Sequence, residues 1–220
     1  MIPVLPPAVV LSHAMSAVHR FGDARGILVV VDMAEPNVDR RLWVIDLKTN
    51  SVVLQTQVAH GSGSDPNHTG VAQRFGNRDG SLMTSLGAYR IDGAYQGHSG
   101  LAYRLTGLSP SDDNAWQRNI MLHRASYVSA DHVGWSEGCL AISPSAFVDL
   151  QHRLGDLSDA LIWVDGPGVV PPLPLWRGSS WLATRTCSPE GGDETRDLTC
   201  RPTELSLPQP RPLPFELAHD

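Results

Sequence analysis

The pattern of hydrophobic and polar positions along the chain predicts a mainly β fold. Residues 27–31 (ILVVV) are apolar and largely β-branched, which is typical of a strand that is covered on both faces. Two apolar segments at 41–47 and 51–59 flank a polar turn and predict a β-hairpin. Residues 86–91 and 101–106 predict a second hairpin in the same way.

Helical periodicity appears before and after these strands. Residues 8–21 place apolar side chains on one helical face, and Gly22 is a suitable helix stop. A second helix is predicted to begin at Ser143 and Pro144 and to end at Gly155, because serine is a preferred N-cap and proline is favoured at the first helical position. We therefore expect a β-rich α+β fold with a few peripheral helices.

Two segments depart from this regular pattern. Residues 60–85 are polar and glycine-rich and are too long for a structural turn, so we expect them to wall a cleft. Ten of the 17 prolines lie at Pro167 or later, and this tail is expected to wrap the domain or to be partly disordered. The chain is thus divided into an N-terminal lead-in at 1–25, a main domain at 26–165 and a proline-rich extension at 166–220.

Composition and charge exclude several classes of function. The 220 residues, 41% hydrophobic and 18% charged, suit one soluble domain with extensions. Seventeen Lys and Arg against 23 Asp and Glu give a net charge of −6 without any basic run, so nucleic acid is not an expected partner. No apolar stretch reaches the roughly 18 residues of a membrane span, so we expect no stable membrane insertion. The first 17 residues lack the positive charges of a signal peptide.

Cys139 and His123 are the candidate nucleophile and base. A thiol is mostly protonated at neutral pH and needs a nearby imidazole to accept its proton. Residues 119–122 (NIML) predict a short strand that delivers His123 at its end, and residues 138–142 predict a neighbouring strand that carries the cysteine. Gly138 permits the tight backbone that an oxyanion site requires. On residue types alone, a buried free cysteine beside an unrelated histidine is an equally good interpretation.

Five sequence segments occur along the chain in a specific order. They are VVVDMAEPNVDRRLWVIDL, VAHGSG at 58–63, SLGAYRIDGAYQGHSG at 85–100, LTGLSPSDDNAWQRNIMLH ending at His123, and SEGC at 136–139. Together they resemble the murein L,D-transpeptidase catalytic domain family (YkuD-like), over about residues 27 to 141. Several motifs in one order are far more specific than a single Cys/His pair.

The resemblance implies a β-sandwich or barrel in which a cysteine attacks a tetrapeptide stem of peptidoglycan. Cys139 would be the nucleophile, and His123 the general base and later the general acid. Ser136 matches the position that helps to orient the site. The backbone N–H groups of Glu137, Gly138 and Cys139 would form the oxyanion hole.

The implied reaction cleaves the bond between the third residue of the stem and its terminal D-Ala, and leaves a thioester on the cysteine. An amine of a neighbouring stem then forms a 3-3 cross-link, whereas water would give L,D-carboxypeptidase activity. A peptidoglycan-binding protein with impaired catalysis is a further alternative. The resemblance implies peptidoglycan stem peptides as partners, no cofactor, and a periplasmic or other extracytoplasmic location, and it leaves the oligomeric state open.

The chain departs from the family pattern at both site motifs. The family usually reads HGA at the histidine and GRSWGCP at the cysteine, where this chain reads HRA and GWSEGCL. We hypothesise that Arg124 and Trp135 replace the lost groups from shifted positions. Glu137 adds negative charge beside Cys139, which disfavours the thiolate.

Other residues of these segments are candidates for substrate contacts. His60 and Tyr95 are expected to line the donor cleft, although a structural histidine and a core-edge tyrosine fit equally well. Arg118 either holds a substrate carboxylate or forms an ion pair at a strand edge. No metal site is predicted, because the potential ligands lack the spacing of a metal motif; they are His60, His68, His98, His132 and Cys139.

Cys187 and Cys200 are predicted to form a disulfide within the proline-rich extension. They flank a polar segment with two glycines, and the bridge would stabilise the chain by about 2 to 4 kcal/mol. Two unpaired thiols are the alternative. Non-reducing peptide mapping of protein made in an oxidising compartment should show Cys187 linked to Cys200 and Cys139 free for alkylation. A bond between Cys139 and either of the other cysteines would contradict this pairing.

Overall fold

The computed structural model describes residues 4–97 and 100–172. This part of the chain forms one eight-stranded sheet and two α-helices, with a short 3₁₀ helix at Ser62–Ser64. The helices are α1 (Ala8–Phe21) and α2 (Pro144–Leu154), and the strands are β1 (Ile27–Asp32), β2 (Leu42–Asp46), β3 (Ser51–Thr56), β4 (Gly87–Gly97), β5 (Gly100–Gly107), β6 (Met121–Arg124), β7 (Leu140–Ile142) and β8 (Leu161–Asp165). Both predicted helices and both predicted hairpins are confirmed. The expectations for Cys187, Cys200 and most of the proline-rich extension concern residues outside the described ranges.

The sheet has the strand order β3-β2-β1-β8-β4-β5-β6-β7 and is nearly closed on itself. Neighbours are antiparallel except for β1 with β8 and β6 with β7, which are parallel. The chain that leaves β3 returns to the opposite end of the sheet, where the Ala59 N–H donates to the Ala141 carbonyl oxygen at 2.8 Å. A barrel-like sheet with two helices confirms the prediction of a mainly β fold.

Strand β1 is apolar throughout because it is covered on both faces. Val29 and Val31 point into the core inside the curved sheet, together with side chains of β2, β4 to β7 and α2. Leu28 and Val30 point to the outside, where Trp163 and one face of α1 cover them. Because side chains alternate along a strand, an unbroken apolar run is the sequence pattern that two such cores require.

Helix α2 covers the inner core beside β6. The Ser143 hydroxyl accepts a hydrogen bond from the Ala146 N–H at 3.2 Å, and Pro144 occupies the first helical turn, so the predicted cap is confirmed. Phe147 and Leu150 are almost fully buried, and the Phe147 ring lies 5.6 Å from the Tyr103 ring.

Strand β6 begins later than the sequence predicted. The chain before it forms turns, and Asn119 adopts a left-handed φ of 53°, which no regular strand contains. The strand therefore starts at Met121, and His123 lies inside it rather than at its end.

Neither helix within the described ranges combines the length and hydrophobicity that crossing a membrane requires.

The two neighbours Phe147 and Val148 test the packing of α2. Phe147 is 1% exposed and Val148 is 40% exposed. We expect Phe147→Ala to lower the free energy of unfolding by about 3 to 5 kcal/mol, because it leaves a cavity in the core, whereas Val148→Ala should change it by about 0.5 kcal/mol or less. Urea unfolding followed by circular dichroism measures both. Equal losses would show that α2 does not pack as described.

Candidate active site

The candidate base lies on β6, and the candidate nucleophile directly precedes β7, the parallel neighbour of β6. In the register of β6 and β7, Leu122 pairs with Leu140 and His123 pairs with Ala141, so Cys139 falls opposite Met121. Paired residues share a face, and residues two apart on a strand do so as well. His123 and Cys139 therefore project to the same side, while Leu122 and Leu140 enter the inner core.

Cys139 is half-buried directly before β7, and its thiol makes a hydrogen bond to the protein. The sulfur donates to the Asn119 carbonyl oxygen at 3.6 Å. Burial raises the pKa of the thiol; a hydrogen bond from the Met121 N–H and the charge of Arg118 oppose this, while Glu137 adds to it. The resting side chain is thus a thiol that needs a base.

His123 is half-buried and is oriented by the backbone of its own strand. Its Nδ1 lies 3.0 Å from the Arg124 carbonyl oxygen. A carbonyl can only accept, so Nδ1 carries the proton in this contact, and Nε2 of the neutral ring is the nitrogen that can accept another. This is the tautomer that a general base needs.

Ser136 fixes the turn that leads into the nucleophile. Its hydroxyl accepts from the Gly138 N–H at 3.1 Å and donates to the Cys139 carbonyl oxygen at 2.8 Å. Gly138 has φ 119°, and a Cβ at this position would come within 2.7 Å of the Met83 carbonyl oxygen, so only glycine fits. Of the three N–H groups expected in the oxyanion hole, that of Gly138 is used by Ser136 in this conformation.

Arg118 holds the long loop at residues 60–85 against this turn. Its guanidinium donates to the carbonyl oxygens of Gly76 at 3.2 Å and Met83 at 2.6 Å, and to the Ser85 hydroxyl at 3.4 Å. Neither sequence-based interpretation, a substrate carboxylate or an ion pair at a strand edge, describes these contacts. Arg118 instead satisfies backbone carbonyl groups of the loop beside Cys139.

His60 is fully buried, so the expectation that it lines the donor cleft is wrong for its side chain. Arg41 Nη2 donates to its Nδ1 at 2.8 Å, and its Nε2 faces the Asp65 carboxylate at 3.6 Å. Burial and then the charge of Arg41 lower the pKa of His60 to about 4, although Asp65 acts in the opposite direction. The structural alternative is the one that fits this residue.

Trp135 also anchors the long loop. Its Nε1 donates to Asp65 Oδ2 at 3.2 Å, and its ring stacks on His68 with 4.4 Å between the centroids. Burial acts to raise the pKa of Asp65, but hydrogen bonds from the N–H groups of Thr69 and Gly70, from the Thr69 hydroxyl and from Trp135 lower it to about 2. The carboxylate therefore stays charged inside the loop.

Three other candidates have exposed side chains. Tyr95 is 42% exposed and belongs to the same cross-strand row as His123, through Ala102 of β5. Arg124 and Glu137 are exposed. A cavity of about 330 Å³ opens beside the base and is lined by His123, Arg124, Ala125, Ser126, Tyr127 and Pro144. Substrate contacts by Tyr95, Arg124 and Trp135 stay predictions.

Sequence reasoning missed the buried network beneath the loop. Arg41 is 0% exposed and donates to the carbonyl oxygens of Val58 and Glu35 as well as to His60. The signals were the second of two consecutive arginines, Arg40 and Arg41, beside the apolar segment LWVID and an aspartate in a glycine-rich loop, and neither distinguishes burial from exposure. Across the described ranges, no group of three or more potential metal-ligating side chains occurs.

Comparison with known proteins gives one family match. The family described as L,D-transpeptidase catalytic domain matches residues 8–163. Curated protein sequences give no match.

Solved structures with a similar chain trace include several L,D-transpeptidases. One is LdtMt1 in complex with imipenem, at 13% identity and a TM-score of 0.40, covering 64% of this chain and 59% of that one. Another is from Mycobacterium smegmatis, at 14% identity and a TM-score of 0.39, with coverages of 64% and 58%. A third, from Stackebrandtia nassauensis, has 19% identity and a TM-score of 0.38, with coverages of 66% and 59%. The chain thus spans less than two thirds of the length of these structures.

The buried His60 makes the stability of the fold depend on pH. Below pH 6.5 the unfolded chain protonates this histidine, but the folded chain, with a pKa of about 4, does not. The contribution of His60 to the free energy of unfolding therefore has its full value above about pH 6.5, and it falls by about 3 kcal/mol as the pH drops to 4. We expect His60→Asn, which keeps an acceptor for Arg41, to remove this slope in denaturant titrations between pH 4 and 7. The exposed control His132→Asn should keep it, and an unchanged slope in His60→Asn would refute the assignment.

Proposed function

The chain belongs to the L,D-transpeptidase catalytic domain family, and from this premise we propose that it transfers the acyl group of peptidoglycan tetrapeptide stems through a thioester on Cys139. The observation that carries the proposal is that His123 of β6 and Cys139, which directly precedes the parallel neighbour β7, project to the same side of the sheet. The tautomer of His123, which leaves Nε2 as the basic nitrogen, supports it. No cofactor enters the proposed chemistry.

The first half of the reaction forms the thioester. The Cys139 thiol leaves the Asn119 carbonyl, gives its proton to His123 Nε2, and attacks the carbonyl carbon of the third stem residue. The N–H groups at the turn, those of Cys139 and Glu137 first, stabilise the oxyanion. As the tetrahedral intermediate collapses, the imidazolium protonates the amine of D-Ala, which departs.

The second half transfers the acyl group. The amine of a second stem gives a proton to His123 and attacks the thioester carbon, which restores the Cys139 thiol and forms a 3-3 cross-link. Water in place of the amine would give L,D-carboxypeptidase activity from the same two residues. The substrate places this reaction in the cell envelope, outside the cytoplasm.

Tyr95, Arg124 and Trp135 are proposed to contact the stem peptide. Tyr95 shares the cross-strand row of His123, Arg124 lines the cavity beside His123, and Trp135 lies in the segment that leads to Cys139. Ser136 acts as a positioning residue, since its hydroxyl binds the backbone on both sides of the turn. His60 and Arg118 hold the loop at residues 60–85 in place beside the site, and no contact with substrate is proposed for either.

One observation favours a second candidate function. Burial and the negative charge of Glu137 both raise the pKa of the Cys139 thiol, and a reluctant nucleophile is what a peptidoglycan-binding protein with impaired catalysis would carry. Mass spectrometry after incubation with imipenem separates the two proposals. An adduct on Cys139 supports the enzyme, and an unmodified thiol supports the binding protein.

Substitution of the two catalytic candidates tests the enzyme directly. With purified tetrapeptide muropeptides, we expect Cys139→Ala and His123→Ala each to reduce D-Ala release by roughly 10³-fold or more, and the double variant to lose little beyond this, because both groups serve one acyl transfer. His132→Ala, an exposed histidine outside the site, should keep wild-type turnover. Circular dichroism verifies that each variant is folded. Turnover by Cys139→Ala at the wild-type rate would exclude the proposed nucleophile.

A further inference from the structure

Arg104 lies on the same face of the sheet as the proposed nucleophile, between two aromatic rings. In the strand register it pairs with Met121, which is opposite Cys139. Its guanidinium carbon is 5.3 Å from the centroid of the Tyr95 ring and 4.4 Å from that of Trp116. We call these three residues, Tyr95, Arg104 and Trp116, the arginine platform.

The guanidinium of the arginine platform has few partners within the described ranges. It donates a hydrogen bond to the Asn119 side-chain oxygen, and its Nε is buried without any hydrogen-bond partner. No carboxylate of the described residues forms an ion pair with it; the ion pairs found there involve other side chains. Since a guanidinium has five N–H donors, this one is held in place but is far from saturated.

The two rings supply the rest of a binding surface. Trp116 is 44% exposed and Tyr95 is 42% exposed, so both flank the cation while offering apolar area to a ligand. A fixed cation with unused donors between exposed rings suits a carboxylate, because a planar guanidinium binds that group through two parallel hydrogen bonds.

The position of the arginine platform limits which carboxylate it can reach. Arg104 and Cys139 lie on strand positions separated by two strand spacings, or about 10 Å, which an extended peptide covers in about three residues. Asn119 forms hydrogen bonds with both residues, because its side-chain oxygen accepts from Arg104 and its carbonyl oxygen accepts from the Cys139 thiol.

We propose that the arginine platform binds a carboxylate of the acyl-donor stem peptide, within about three residues of the bond that is cleaved. This inference rests on the proposed function for the identity of the peptide. It assigns Arg104 a binding role that selects stems with a free carboxylate over stems in which that carboxylate is amidated.

Binding measurements test the inference without depending on turnover. In a Cys139→Ala background, isothermal titration calorimetry would compare a tetrapeptide that has all its carboxylates free with a panel in which one carboxylate at a time is amidated. We expect one amidation to weaken binding about tenfold, and Arg104→Met to weaken binding of the free peptide by a similar factor. The two changes together should give no further loss, because they remove the same contact.

Three further variants make the test specific. Arg104→Lys, which keeps the charge but loses the planar fork, should retain part of the discrimination between free and amidated peptide. Trp116→Leu should weaken binding of the free peptide without changing the net charge. Arg153→Met, which removes a charge from an exposed pair on α2, is the control and should bind like the parent protein. If Arg104→Met does not fold, Arg104→Gln takes its place.

The outcomes separate this inference from the proposed function. If no amidation weakens binding, or if Arg104→Met loses the same factor for free and amidated peptides, the inference is overturned even when the wild-type protein releases D-Ala. If a glycan without stem peptide competes for the site, the arginine platform binds sugar and the inference is again overturned. If the protein distinguishes free from amidated peptide through Arg104 but releases no D-Ala, the inference is supported and the proposed enzymatic activity is excluded.

Discussion

The arrangement of the site depends on the backbone hydrogen bonds that close the sheet. The Ala59 N–H donates to Ala141, the Ser136 N–H donates to His60, and the Ser62 N–H donates to Ser136, all at 2.8 to 2.9 Å. These bonds join the segment after β3 to the segment that carries the nucleophile, although the two are about 80 residues apart in sequence. Bringing the two segments together costs loop-closure entropy with the first bond, and the other bonds then form without a second such cost. They support the cysteine turn on the side away from β6.

Two guanidinium groups, that of the buried Arg41 and that of the half-buried Arg118, complete this support by binding main-chain oxygens. Arg41 donates to the carbonyl oxygens of Val58 and Glu35, and Arg118 donates to those of Gly76 and Met83. An irregular segment lacks the partners that a helix or sheet would give its carbonyl groups, and a buried carbonyl without a partner is unfavourable. Arg41 meets this need for the segments on either side of β2 and β3, and Arg118 meets it for the loop at residues 60–85, which packs beside the nucleophile.

The sequence predicted the elements that local residue patterns determine. It did not predict features that depend on contacts between elements distant in sequence. The apolar run of β1 and the Ser143-Pro144 start of α2 are local signals, and the structure confirms both. The late start of β6 follows from the left-handed Asn119, which an apolar pattern does not record. His60 was misjudged because its burial depends on Arg41 of the β1–β2 connection, and Arg104 was overlooked because only the strand register brings it to the face of Cys139. The Cys139 and His123 pair was identified through the family resemblance, since residue types alone left a buried free cysteine equally acceptable.

The hydrogen bond from the Cys139 thiol to the Asn119 carbonyl has a consequence for oxidative damage. Oxidants such as peroxides attack the thiolate far faster than the thiol, so a resting sulfur that keeps its proton is a poor target. Burial of the side chain and its raised pKa act in the same direction. In the proposed location outside the cytoplasm, Cys139 would meet oxidants without the protection of cytoplasmic reductants. The thiolate of Cys139 would be present only while His123 holds the proton. The rate at which oxidants inactivate the protein would then depend on the hydrogen bond between the Cys139 thiol and the Asn119 carbonyl oxygen.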